Sequence, residues 1–170
     1  MRVDGGCRGC LASAVSEQMP TPPPAPHVIG TAYDLQTIRK DLGGQDRPPH
    51  FVIHRDDAIL GLCLGLMWHP LAEGDPAEVW VGRKGDVPKW GLALAGTTGL
   101  LPVYVRREEG GPWFFIGLRQ VTGNTAEVEE IRRRLKPPVI TAISRIVFLK
   151  RCEDSVAASA SSSASAPSVL

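Results

Sequence analysis

"LLPVYVRREEGGPWFFIGLRQV", residues 100 to 121, is the stretch whose reading decides the fold. Two runs of β-branched and aromatic residues flank "EEGG" (108 to 111), a link of the length that closes a β-hairpin. Pairing outward from that link sets Arg106 against Trp113, Val105 against Phe114, Tyr104 against Phe115, Val103 against Ile116, Pro102 against Gly117 and Leu101 against Leu118. Side chains alternate along a strand, so the pairs sort onto two faces. One face carries Leu101, Val103, Val105, Phe114, Ile116 and Leu118, has no polar member, and is the predicted core. The other carries Tyr104, Arg106, Trp113, Phe115, Gly117 and Arg119. A slip of one residue would scramble both sets, so their segregation supports the register.

That second face admits two readings. In one, Arg106 stacks on Trp113 as a cation–π pair and the rings lie under helices or terminal segments, as core aromatics do. In the other, the rings form a flat platform that holds a nucleobase, the arginines supply phosphate or base-edge contacts, and Gly117 marks where the ligand meets the backbone. Trp90, together with Trp80, is a candidate wall of the same pocket.

Working outward, Leu35, Ile38 and Leu42 recur at helical spacing in "AYDLQTIRKDL" (32 to 42). "HFVIH" (50 to 54) and "AEVWVG" (77 to 82) alternate as strands, with Phe51 and Ile53 on one side of the first and Val79 and Val81 on one side of the second. Asp86 is placed to cap a helix over "VPKWGLALAG", and Asn124 with Glu127 resembles a capping box before "EVEEIRRRL". "VITAISRIVFLKRC" (139 to 152) has the apolar, β-branched character of a central strand, or of one bent at Ser144. The run "AILGLCLGLMW" (58 to 68) is helix or strand, and periodicity does not decide between them.

The expected organisation is a Pro-rich disordered leader over 1–30, one α+β domain over 31–152, and a disordered Ala/Ser-rich tail over 153–170. The domain is expected to be built on a strongly curved or barrel-like antiparallel sheet with a few short helices. Nineteen basic against eighteen acidic residues leave a charge of +1, so no global field advertises a polyanionic partner. The longest apolar run is about half the roughly 20 residues a membrane span requires, so no membrane partner is expected. The N-terminus has no continuous apolar segment of the signal-peptide kind, which makes an intracellular location, cytoplasmic or nuclear, the expectation.

Cys7 and Cys10 form one knuckle without a second, Cys63 lies in an apolar run, and His50 and His54, on one side of a strand with Asp56, Asp57 and His69 nearby, lack the helical context of an H-x-x-x-H site. Neither metal nor cofactor is expected. "VGRKGD" (81 to 86) is neither a Walker loop nor a dinucleotide fingerprint, and no nucleophile elbow occurs.

The order of a strand, a Trp-bearing helix, "PVYVRR" and a Trp113-x-Phe115-x-Gly117 strand resembles a small domain of uncharacterised fungal and bacterial proteins, over roughly residues 50 to 152. That family is similar to the PUA and SRA barrels, and the resemblance implies recognition of modified bases. The sequence therefore points to a non-catalytic binding module for DNA, RNA or a modified base through Tyr104, Arg106, Trp113, Phe115, Gly117, Arg119 and Trp90. The alternatives are a domain that docks another protein through its aromatic face or tails, and a hydrolase or nuclease with dispersed acidic residues.

Overall fold

Hydrophobic alternation becomes strand in several segments of the described chain. A computed structural model describes residues 27–45, 51–135 and 142–152. Its elements run β1 (Ala32–Tyr33), α1 (Leu35–Leu42), β2 (Val52–Arg55), β3 (Ala58–Gly65), β4 (Ala77–Gly82), α2 (Val87–Ala95), β5 (Leu100–Arg106), β6 (Trp113–Thr125), α3 (Val128–Arg134) and β7 (Ile143–Arg151). The strands form one seven-stranded sheet in the order β2-β3-β5-β6-β7-β4, with β1 beside β6. It curls strongly into a half-barrel, giving the expected α+β fold. One ladder departs from the antiparallel expectation: β3 and β5 run parallel, Leu62 facing Val103 and Leu64 facing Val105. The return from β3 to β5 passes through β4 and α2, a crossover of the length a parallel pair needs.

Two cores lie on opposite faces of the sheet. The first draws Val52, Leu62, Leu64, Val79, Val81, Leu101, Val103, Val105, Val147 and Leu149 from strands across the whole order, as the inner face of a half-barrel does. Each such side chain contributes about 1.5–3 kcal/mol on full burial. α2 lies across the opening of the curl. Its Trp90 ring sits 4.1 Å from the His54 ring of β2, and its Gly91 lies so close to β4 that a Cβ there would meet Val81 Cγ1 at 2.3 Å. The second core packs Ile38, Ile53, Cys63, Tyr104, Trp113 and Phe115 under Tyr33, Leu35 and Leu42. Phe51 joins the first core and Ile53 the second, so the expected pairing of these two on one side fails; all of residues 51–54 are buried. A third cluster seats α3 through Ile131 and Leu135 against Ile143 and Ile146.

Local chemistry sets the ends of the elements. Asp34 accepts a bond from Thr37 N at 2.9 Å and caps α1, which shortens the helix expected from residue 32 and leaves Ala32–Tyr33 to pair with β6. The capping box expected of Asn124 and Glu127 does not form: Asn124 stays in β6 opposite Val147, and Glu127 makes no side-chain cap bond. Of the two forms expected of the last strand, regular or bent at Ser144, the structure has the second. Val81 faces Arg145 and Gly82 faces Ile143, leaving Ser144 as the extra residue, whose hydroxyl donates to the carbonyls of Val81 and Gly82. "AILGLCLG" is strand, ending at Gly65.

The loop between β3 and β4 folds back along the outer side of β4. Glu78 N donates to Leu71 O at 3.1 Å, and Trp80 N donates to His69 Nδ1, also at 3.1 Å. Of the expected leader, His27–Gly30 is described and packs on the domain; residues 1–26 and the tail from 153, with Cys7 and Cys10, lie outside the described residues.

Candidate functional site

The hairpin closes in the expected register next to its loop, with Val105 opposite Phe114 and Tyr104 opposite Phe115. The register then shifts. Val103 faces Gly117, Pro102 faces Leu118 and Leu101 faces Arg119, so Ile116 is an inserted residue. Gly117 takes a φ of 105°, a region open to glycine and strained for any residue with a Cβ. Because residues directly opposite each other share a face, the insertion moves Leu118 to the Tyr104 side and carries Arg119 across to the Leu101 side. The expectation that Arg119 lies beside Trp113 and Phe115 is corrected there.

The ring-bearing face is core, the first of the two readings drawn from sequence. Tyr104 is fully buried, and Phe115 and Trp113 keep only 3% and 8% of their surface. His27 covers them, stacked on Tyr33 at 4.1 Å and set edge-on to Tyr104 and Phe115. Arg106 lies over Trp113 with its Cζ 4.7 Å from the ring. The space beside Gly117 is taken by Ile29, whose Cδ1 would lie 3.4 Å from an added Cβ. Trp90 belongs to the first core on the opposite side of the sheet, so it walls no pocket with Trp113. These rings offer no open surface to a base.

Two cavities border the hairpin instead, and Arg107 lines both. The larger, about 490 Å³, lies where β6 passes from one neighbour to another. Gly30 N donates to Phe115 O on the β1 side and Cys152 N donates to Leu118 O at the end of β7, with Ile116 and Gly117 between them. Its wall includes Arg107, Arg119, Arg151 and Glu73. Glu73 Oε1 accepts from Arg107 Nε and Nη2 at 3.0 and 2.9 Å. Arg119 has no exposed surface; its Nη1 donates to Gly74 O at 2.6 Å, while Nε and Nη2 have no partner. Burial lowers the guanidinium's pKa, Arg151 adds to the effect, and Asp75 and Glu73 oppose it.

The smaller cavity, about 310 Å³, is lined by Leu66, Met67, Trp68, Arg106, Arg107 and Glu108, among others. Trp68 is 70% exposed and Met67 62%, with Leu71 three residues on at 48%. Sequence reasoning passed over Trp68 because it closes an apolar run. The signal was Gly65, after which Trp68 N and His69 N both turn back onto the Gly65 carbonyl and the strand ends.

The groups with the most displaced titration serve packing. Burial pushes the Cys63 thiol up to about 12 against the opposing pull of Arg39 and Arg106, and raises the Tyr104 phenol. Burial alone holds His69 down at about 4, neutral and able to accept from Trp80. Arg83, in the basic turn before α2, donates to Ile143 O. Among the described residues no three His, Cys, Asp or Glu side chains gather as a metal site, and no helix is long and apolar enough to cross a membrane. Compared with protein-family models, curated proteins and solved structures, the chain matches none.

Proposed function

We propose that this domain is a non-catalytic binding module whose contact surface is centred on Trp68 and docks a protein partner. The observation that carries the reading is the 70% exposure of the Trp68 ring, with Met67 and Leu71 exposed in the same loop. Tryptophan, methionine and arginine are the residues enriched where proteins meet, and an exposed indole filling a partner's socket is a typical anchor. The rim has both signs of charge: Arg106 and Arg107 share the cavity with Glu108 and Glu109, and Arg107 is already paired with Glu73. Such a rim suits a partner with mixed charges better than a polyanion.

A second reading follows from the same ring. The indole face with Arg106 and Arg107 beside it has the composition of a base-stacking platform, which keeps DNA, RNA or a modified base as the alternative ligand. Both readings are tested by comparing the whole chain with Trp68→Ala in affinity capture and in binding of labelled single-stranded DNA and RNA across a salt series. A partner lost on Trp68→Ala, and held with little dependence on salt, supports protein docking. Oligonucleotide affinity that falls steeply with salt and needs Trp68 supports the alternative. If every interaction found is unchanged by Trp68→Ala, the surface is not the contact site and both readings fail.

A further inference from the structure

The charge a partner must bring to the Trp68 surface depends on which charged side chains there are already matched. Arg107 gives Nε and Nη2 to Glu73 Oε1 at 3.0 and 2.9 Å, and its Cζ lies 5.0 Å from the Phe114 ring. Arg106 spends a face of its guanidinium on Trp113. Glu108 and Glu109 are different. Both are exposed, and among the described residues neither side chain makes an ion pair or a hydrogen bond. Gly111 N donates to Glu108 O at 3.1 Å, closing the turn that holds the two carboxylates at the tip of the hairpin.

With Glu73 counted, the charged groups of this cavity are three carboxylates (73, 108 and 109) against two guanidiniums (106 and 107). The two carboxylates left over share the cavity with the most exposed ring of the described residues. Trp68 is held by a fixed turn, since its own N–H and that of His69 both donate to Gly65 O at 2.9 Å. One edge of the indole rests at the end of β3, with Cδ1 3.9 Å from where a Cβ on Gly65 would stand, and 70% of the residue is in solvent. An ordered, open indole attracts a cation to its face, and carboxylates beside it complete the pairing. A guanidinium suits the place better than an ammonium, because it is planar, weakly hydrated and stacks on rings. A phosphate chain would meet the two unmatched carboxylates.

We propose that the partner docks here through a basic segment of its own chain, with an arginine stacked on the Trp68 indole and Glu108 and Glu109 pairing with that arginine and its basic neighbours. The aliphatic stem of the arginine lies toward Met67. This inference rests on the protein-docking reading and adds the chemistry of the partner. Exposed ion pairs contribute little each, so stacking carries most of the affinity and salt lowers it only modestly.

Three blocked glycine-rich pentapeptides serve as probes, the first with two arginines, the second with two lysines and the third with two glutamates. Each is titrated into the whole chain at up to roughly millimolar concentration, and the indole N–H signal of Trp68, assigned by its loss in Trp68→Ala, is followed by NMR. The arginine peptide should shift that signal saturably, the lysine peptide more weakly, and the glutamate peptide not at all. Trp68→Ala should weaken the arginine peptide at least tenfold, measured on the amide signals of Glu108 and Glu109. The double variant Glu108→Gln with Glu109→Gln, both in an exposed turn whose loss of charge spares the fold, should weaken it at least threefold. No saturable shift with the arginine peptide, an equal response to the glutamate peptide, or unchanged binding in the double variant overturns the proposal. If a captured protein still needs Trp68 while the double variant holds it equally well, the basic-segment inference fails and the docking reading stands; if Trp68→Ala changes no interaction at all, both fail.

Discussion

The imidazole Nδ1 of His27 lies 2.5 Å from the hydroxyl of Tyr104, which is 77 positions further along the chain. On its other side His27 Nε2 lies 2.9 Å from Asp41 Oδ2. A carboxylate only accepts, so Nε2 carries the proton; in the neutral ring Nδ1 then accepts from the Tyr104 hydroxyl. The contact holds His27 over the second core, and it is why the aromatic face is closed.

Tyr104→Phe should lower stability by about 1–2 kcal/mol in urea unfolding, since it leaves a buried ring nitrogen unmatched. His27→Phe leaves the buried Tyr104 hydroxyl in the same position. The double variant removes both ends of the bond, so its cost should fall short of the sum of the single costs by about 1 kcal/mol. Strict additivity would show that the two residues do not interact.

Acid should weaken the fold through His69. Its pKa is about 4 in the folded state against an ordinary 6.5, so the neutral ring is the folded form. The contribution is fully present above pH 6.5 and is lost as pH falls through 4, in all on the order of 3 kcal/mol. His69→Asn keeps an acceptor for Trp80 N and does not titrate. Its Tm should fall less steeply between pH 6.5 and 4 than that of the parent chain, and parallel curves would refute the assignment.

Gly117→Ala should destabilise by about 1–3 kcal/mol, because a Cβ at φ 105° strains the backbone. Gly110→Ala, at φ 76° with nothing within 4 Å, should cost only about 1 kcal/mol. Equal losses in thermal unfolding would mean that the backbone at Gly117 is no more strained for alanine than an ordinary left-handed turn.

Removing Arg134 should cost more than an ordinary surface ion pair. Its Nη1 is 2.6 Å from Glu78 Oε1, and the Glu78 side chain is only 9% exposed, with Trp80 Nε1 as its other donor. Arg134→Met leaves that carboxylate charged and poorly matched, for a loss of about 1–3 kcal/mol. Adding Glu78→Gln should recover part of the loss; a further drop in Tm would argue against the pairing.

What could be read in the sequence was periodic. Val103 and Val105 against Tyr104, Val79 and Val81 in β4, and the extra residue at Ser144 all follow from alternation or its interruption. What could not be read depends on one inserted residue and one long return. Ile116 is as good a strand residue as its neighbours, so nothing local announces that it goes unpaired, yet every residue after it changes face and Arg119 moves from the aromatic side to a cavity wall. Likewise, β3 and β5 are adjacent only because β4 and α2 lie between them in sequence, and local pattern has no access to that separation. The candidate residues were chosen for their chemistry; Arg106, Gly117 and Arg119 line the two cavities, while Tyr104, Trp113 and Trp90 are core. Trp68 was hidden by the company of apolar residues whose strand stops before it reaches them.

The bonds that Leu71 and His69 make to β4 bear on how the molecule behaves at high concentration. A half-barrel leaves its terminal strand with amides free to recruit the same strand of another molecule, the first step of fibril growth and domain swapping. Here the amides of Glu78 and Trp80 are already taken by the chain's own loop. Protonating His69 releases one of those amides, so acid near pH 4, where that imidazole titrates in the folded protein, favours self-association and sets the handling pH above that range.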